Sequence, residues 1–293
     1  MLAASPHPLT AFPLMPSASH SEFRLFQELI HREVGIFLSD AKMALLSGRL
    51  APRLRELRLD SFQAYHRHVT EVDPAERVRM LDCITTNETR FFREPQQFDF
   101  LEKVLIPRLR DDAAAGRRPR RLRVWSAASS SGEEAYSLAM VFLTHLPPEA
   151  GWSIEIFGSD ISTRVLEKAR GGVWFEDRAR EIPERYFKRY MVRGMGAQKS
   201  TISAGPDIRS VVRFDRLNLM SNPYPVSGRF DLIFCRNVLI YFDPPTKERV
   251  VSNLLTYLGA DGLLFLGHAE SMLSMSNRLR RVGPTIYEPI ART

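Results

Sequence analysis

The sequence predicts an α/β protein built on a doubly wound sheet, with a small N-terminal helical domain before it and a small antiparallel β-excursion within it. Three observations lead there. Beyond Arg121, short apolar runs alternate with segments of helical length, a βαβα texture that implies a parallel sheet with crossover helices. Upstream of that point, apolar residues recur at helical spacing. The alternation lapses from Gly171 to Arg209, where Gly194, Gly196 and Gly205-Pro206 supply turn residues for an antiparallel detour.

Taken in order, residues 1–20 are rich in Pro and Ser and should form a mobile arm. From Glu22 the pattern F-x-x-F-x-x-L-I-x-x-x-V-x-I-F-L predicts a helix, and Ala41 to Arg58 and Ser61 to Val69 continue the spacing. Asp73-Pro74 reads as a cap followed by Pro at the first helical position, opening a helix through Arg77, Met80 and Leu81. These segments make a helical domain over 21–95. Pro95 starts another helix, Gln96 to Leu109, which leads into an Arg-rich stretch, so 96–121 is a linker helix followed by an Arg-rich linker. The α/β domain is 122–293. Its expected strands are Leu122 to Ala127, Ile154 to Gly158, Val211 to Phe214, Phe230 to Cys235 and Gly262 to Gly267. Its expected helices are Glu133 to Leu146, Ser162 to Arg170 and Pro245 to Leu258. The β-subdomain is assigned to about 190–214, and Arg280 to Val282 with Thr285 to Pro289 reads as a closing hairpin around Gly283-Pro284.

At 293 residues and 44% hydrophobic content, the chain can bury a sizeable core without covalent staples. Its two cysteines, Cys83 and Cys235, sit in apolar settings, and their number excludes a disulfide framework or a four-ligand cysteine zinc site. A reducing, cytoplasmic compartment is expected, and no metal. No apolar run approaches the roughly 20 residues of a membrane span, and the opening M-L-A-A-S-P-H-P-L-T lacks a basic-then-apolar leader, so neither insertion nor export is expected. A net charge of +7 points to acidic partners. Arginines cluster at Arg49, Arg53, Arg55 and Arg58 and again at Arg117, Arg118, Arg120, Arg121 and Arg123, where a solvated helix face and a polar linker are the plainer readings.

Ligands of doubly wound sheets bind outside the carboxyl ends of the strands. The first such loop, Ala128 to Gly132, has one glycine, and the absent G-x-G-x-x-G argues against a dinucleotide enzyme. Glu133 and Glu134 open the next helix, where they also suit the positive end of its dipole. Asp160 ends the second strand, placed to accept ribose hydroxyls or to cap the helix near Ser162. Asn218 and Leu219 follow the third, where Asn is an ordinary turn residue. Cys235, Arg236 and Asn237 follow the fourth. Cys235 has no adjacent His base and reads as a packed thiol, and Tyr241 reads as either core or site. The stretch Thr85 to Pro95 gathers Asn87, Thr89, Phe91, Phe92 and Arg93 like a lid, although Thr86-Asn87-Glu88 also resembles a helix cap.

Three stretches in this order, T-T-N-E-T-R-F-F-R-E-P at Thr85 to Pro95, W-S-A-A-S-S-S-G-E-E-A-Y-S at Trp125 to Ser137 and F-D-L-I-F-C-R-N-V-L-I-Y-F-D at Phe230 to Asp243, resemble the chemotaxis receptor methyltransferases, the CheR family. The resemblance runs from about Glu22 to Pro289 and includes D-I-S-T-R-V-L-E-K-A-R from Asp160. It departs mildly at Ser130 and Ala135, where the family more often has Thr and Pro. It implies a methyltransferase-type sheet that binds S-adenosyl-L-methionine and releases S-adenosyl-L-homocysteine. By resemblance Glu134 meets the donor's ammonium group, Asp160 its ribose, and Asn218 and Leu219 its adenine. Asn87, Thr89, Arg93, Cys235 and Arg236 complete the donor site, and Arg93 and Tyr241 serve catalysis, Tyr241 near the reacting methyl. The implied reaction esterifies glutamate side chains of methyl-accepting chemotaxis receptors.

Docking is expected on the basic helix with Arg49, Arg53, Arg55 and Arg58, with a receptor's C-terminal peptide on the β-subdomain left open. A monomer is expected, and no nucleic-acid partner, because Asp243-Pro244-Pro245-Thr246 does not match the motif of base methyltransferases. The competing reading is a catalytically weak scaffold or sensor that binds S-adenosylmethionine or a nucleotide.

Overall fold

The structure, a computed structural model, describes residues 17–270 and 277–290. Most of the arm expected at 1–20 lies outside the described residues. The chain divides into two compact units. One comprises the described residues up to Leu29 with Leu38–Ile84, and the other comprises Ile30–Phe37 with the described residues from Thr85 onward.

The first unit is helical. Helix α1 (His20–Val34), which belongs to this unit as far as Leu29, is opened by a capping box, in which Ser19 Oγ accepts from the Glu22 amide and the Glu22 carboxylate accepts from the Ser19 amide at 2.9 Å. It ends before the apolar run at Ile36 to Leu38 because Gly35 turns left-handed at φ 73°. Helices α2 (Met43–Glu56), α3 (Phe62–Arg67) and α4 (Pro74–Ile84) follow, α3 running into a wider turn to Val72. Phe23, Phe26, Leu50, Leu54, Phe62, Tyr65 and Met80 fill the core, with Phe26 stacked on Tyr65.

Glu76 is fully buried and accepts from Arg53 Nε at 2.8 Å, Arg53 Nη2 at 2.6 Å and the Tyr65 hydroxyl at 3.0 Å. The expected basic docking face is therefore partly structural. Arg53 serves Glu76 and Glu56, Arg49 donates to the Ile84 carbonyl, and Arg55 and Arg58 remain exposed.

Burial alone would raise the Glu76 carboxyl, but Arg53 and Tyr65 hold it below the usual carboxylate value. A depressed carboxyl contributes stability above its unfolded pKa, near 4.3, and loses it as pH falls through the folded value. Glu76→Gln is expected to cost about 3 kcal/mol at pH 7, since it strands the Arg53 charge. The gap to wild type should narrow below about pH 4. Urea unfolding at the two pH values checks this, and a gap independent of pH would refute it.

In the second unit, the helix expected to serve as a linker forms and packs into the core. Helices α5 (Pro95–Phe100) and α6 (Ile106–Ala114), joined through Leu101–Leu105, bury Phe98, Leu101, Leu105, Ile106 and Leu109. The arginines after them are paired within the fold, Arg117 with Asp112 at 2.6 Å, Arg118 with Asp231 at 3.0 Å and Arg123 with Glu155 at 2.8 Å.

The main sheet contains β1 (Arg121–Ala127), β2 (Ser153–Asp160), β6 (Val212–Arg216), β7 (Phe230–Cys235), β8 (Leu258–Leu266), β9 (Leu279–Gly283) and β10 (Ile286–Pro289). Its order is β6-β2-β1-β7-β8-β10-β9, parallel through β8 and closed by the antiparallel β9–β10 hairpin. Alternate side chains serve opposite layers. Leu122 and Val124 join the cluster containing α7 (Glu133–His145), whereas Trp125 and Ala127 join the one containing α11 (Pro244–Thr256). The chain runs from β1 outward through β2 to β6, then returns to β7 on the other side of β1. The strand order thus reverses between β1 and β7, where a doubly wound sheet opens a crevice.

The antiparallel excursion begins earlier than expected and ends sooner. It is a three-stranded sheet of β3 (Val173–Phe175), β4 (Met191–Arg193) and β5 (Thr201–Ala204), in the order β3-β5-β4. Residues 212–214, assigned on sequence to the subdomain of about 190–214, instead pair parallel with β2 in the main sheet. Strands of three or four residues are too short to display an alternating pattern. Helices α8 (Thr163–Gly171), α9 (Glu184–Tyr190) and α10 (Pro206–Ser210) fill the connections.

Candidate active site

The β1–α7 loop is bent by three left-handed residues, Ala128 at φ 67°, Ser130 at φ 49° and Gly132 at φ 94°. Gly132 is required there, since a Cβ would also press within 3.1–3.2 Å of Ala169, Phe214 and Tyr136. What holds the bend is Asp160 at the end of β2, whose Oδ2 accepts the Ser130 amide at 2.9 Å and whose Oδ1 accepts the Ser162 amide at 3.0 Å. The helix-cap position weighed for Asp160 on sequence falls instead to Ser162, the residue that precedes α8 (Thr163–Gly171).

Glu134, in the first turn of α7, accepts from Ser126 Oγ at 2.6 Å and from Arg236 Nη1 at 3.0 Å. Burial pushes this carboxyl upward, with the Arg236 charge and the Ser126 hydroxyl pulling the other way. Arg236 follows β7, and its side chain is 2% exposed. It also pairs with Glu94 at 3.2 Å and donates to the Arg93 carbonyl. One guanidinium therefore joins β7, α7 and the Thr85 to Pro95 segment. Burial alone would raise Glu94, but the charge of Arg236 and the bonds from His268 and Asn237 hold it below the usual carboxylate range.

The Thr85 to Pro95 segment is pinned along its length. The Phe91 amide donates to Glu181 at 2.9 Å, the Phe92 amide to Ser137 Oγ at 3.1 Å, and the carbonyls of Asn87 and Thr89 accept from Ser130 Oγ and Arg178. Phe92 at φ 49° and Glu94 at φ 60° are left-handed, conformations these contacts must maintain. No helix starts at Thr86-Asn87-Glu88, so the cap reading of those residues is excluded. Phe91 and Phe92, expected to cover the pocket, point into the core, Phe91 against Trp174 at 4.9 Å and Phe92 stacked on Tyr186 at 5.2 Å. Arg93 Nη1 donates to the Glu88 carbonyl at 3.1 Å, and with Glu88, Thr89, Arg90, Arg178 and Glu181 it lines an open polar cavity of about 400 Å³.

The remaining candidates lie on neighbouring loops. Asn218 donates to the Glu33 carbonyl at 2.6 Å and accepts from the Met220 amide at 3.0 Å, so its side chain acts as the turn residue foreseen as the plainer reading. The Leu219 carbonyl accepts from Tyr224 at 2.9 Å. Cys235 is fully buried, its thiol pushed well up by burial, which leaves it a packing residue whose backbone alone faces the loop. Tyr241 is half-buried, and its hydroxyl makes no hydrogen bond among the described residues.

Sequence reading missed Ser126, Glu94 and Glu270. Glu94 stood in plain view inside R-F-F-R-E-P, but nothing local announced an ion pair with a residue 142 positions later.

Residues 87–287 match the family model described as "CheR methyltransferase, SAM binding domain", and residues 21–85 match "CheR methyltransferase, all-alpha domain". The chain is 38% identical over 275 residues to chemotaxis protein methyltransferase 2 of Pseudomonas aeruginosa, covering 92% of this chain and 94% of that protein. It is 38% identical to the chemotaxis protein methyltransferase of Escherichia coli, covering 92% and 91%, and 37% identical to that of Salmonella typhimurium, covering 92% and 90%.

Proposed function

The chain belongs to the CheR methyltransferase family and is an S-adenosylmethionine-dependent methyltransferase of chemotaxis, and from that premise we propose how its own residues perform methylation of receptor glutamates. The observation that carries the reading is the pair of carboxylates, Asp160 and Glu134, flanking the switch point between β1 and β7 and joined to the Thr85 to Pro95 segment through Ser130 and Arg236.

The donor set fits the cofactor. Asp160, at the carboxyl end of β2, presents its carboxylate where a vicinal diol would bind, and Glu134 offers a largely buried carboxylate to an ammonium group. Ser129 Oγ is buried beside Asp160's loop with no partner among the described residues, so a further polar group can be accepted there. Asn218 and Leu219 would meet the base through their backbone, because the Asn218 amide is already engaged. When bound, S-adenosylmethionine supplies an electrophilic methyl group on a sulfonium.

The receptor glutamate is ionised at neutral pH and needs no general base. The protein's task is alignment and exclusion of water, for which Arg93 orients the incoming carboxylate and Tyr241 directs its free hydroxyl toward the reacting groups. The cavity of about 400 Å³ beside Arg93 gives the side chain its approach. Receptor docking falls to the exposed Arg55 and Arg58. The edges of the three-stranded sheet, β3 and β4, suit strand addition by a receptor tail. The protein is read as a cytoplasmic monomer, in keeping with its two free cysteines.

The test is transfer of labelled methyl from S-adenosylmethionine to receptor-bearing membranes, scored as base-labile volatile counts. Arg93→Ala should lower the rate about 100-fold, the scale of losing one preorganised charge contact. Binding of S-adenosylhomocysteine without any label would instead favour a sensor or scaffold.

A further inference from the structure

Glu270, just after β8, is 4% exposed and pairs with no cation among the described residues. Its carboxylate is satisfied by main-chain donors. Oε2 accepts the Asn237 amide at 2.8 Å and the Gly267 amide at 2.7 Å, and Oε1 accepts the Ile240 amide at 3.2 Å. The site is built around it, because a Cβ on Gly267 would lie 2.6 Å from Glu270 Oε2 and 2.6 Å from Asn237 Nδ2. Asn237 is itself left-handed at φ 58° and ties its side chain to Glu94 at 3.2 Å.

Two of these donors, the Asn237 and Ile240 amides, belong to the turn after β7 that begins at Arg236 and ends in the short helical turn Leu239–Tyr241, and the third, that of Gly267, follows β8. A buried carboxylate without a counter-charge is costly unless hydrogen bonds replace its water, and here three amides from two loops do so. We propose that Glu270 is a positioning residue for methyl transfer, fixing the turn that presents Tyr241 to the reacting groups. This rests on the role given to Tyr241 above.

Glu270→Gln separates this role from general support. The amide settles with its oxygen toward Asn237 and Gly267, where two donors converge, so its NH₂ faces the Ile240 N–H. The turn next to Tyr241 is released while the rest of the network stays. The kcat for methyl transfer should fall about 10- to 100-fold, as expected for a displacement on the order of 1 Å, with S-adenosylhomocysteine affinity within about 3-fold of wild type. In a Tyr241→Phe background the same change should have little further effect, because both act through one hydroxyl.

The proposal is overturned if Glu270→Gln leaves kcat unchanged, if its effect persists undiminished in Tyr241→Phe, or if affinity and melting temperature fall in step with activity. If the amide fails to fold, Glu270→Asp, which keeps the charge but withdraws it by one methylene, is put through the same cycle. Inactive wild-type protein would overturn the proposed function itself. An active wild type with a slow Tyr241→Phe and an unaffected Glu270→Gln would overturn this inference alone.

Discussion

Arg236→Ala should abolish methyl transfer and lower the melting temperature of the protein by roughly 10 °C. The guanidinium is 2% exposed and is shared between Glu94 and Glu134, so its removal leaves two largely buried carboxylates without their shared counter-charge. Stranding buried charge costs about 3–5 kcal/mol, and in a unit of this size each kcal/mol moves the midpoint by about 2–4 °C. Arg236→Lys keeps the charge but not the planar fork that serves Glu94, Glu134 and the Arg93 carbonyl at once, so an intermediate loss is expected. Arg236→Met combined with Glu94→Gln and Glu134→Gln should regain much of the stability and none of the activity, because neutral replacements can match a buried ion pair in stability but cannot hold Arg93 in place. Thermal melts read beside the methyl-label assay decide this. An Arg236→Ala variant melting like wild type would mean that the carboxylates find water or protons without cost.

The residues most legible in the sequence were those whose chemistry is local. Phe230 to Cys235 is a run of buried strand residues bounded by loops, and it forms the strand as read. Asp160 and Glu134 drew notice because a strand end and a helix start have defined places in a doubly wound sheet, and the family resemblance supplied the donor-binding roles expected of them. What escaped depended on partners distant in sequence. Phe91 and Phe92 looked like a cover, yet Trp174 and Tyr186, more than 80 positions away, draw them into the core. Arg49 and Arg53 looked like a docking face until Ile84 and Glu76 claimed them. Glu270 carries no signal at all, since its partners are main-chain amides that any sequence would supply. The short strands β3 to β5 were hidden because three or four residues cannot establish a period.

Asp160→Ala should weaken S-adenosylhomocysteine binding by about 100-fold or more while leaving the maximal methyl-transfer rate within a few-fold of wild type at saturating donor. Two charge-assisted hydrogen bonds to a ribose, each worth about 1.5–3 kcal/mol when removed, exceed the 2.7 kcal/mol that 100-fold represents. The side chain also supports the Ser130 and Ser162 amides, so part of the loss would come from loosening the loop rather than from the missing contact. Asp160→Asn separates the two causes. Its single carbonyl oxygen can retain one of those amide bonds but must turn an NH₂ toward the other, which predicts about a 10-fold loss. The effect belongs in KM because the ribose contact is the same before and during transfer, and uniform binding of that kind does not change kcat. Titration calorimetry with S-adenosylhomocysteine, run beside donor-saturation kinetics, reads both quantities. Unchanged affinity in Asp160→Ala would reduce this residue to the loop brace that its two amide bonds describe.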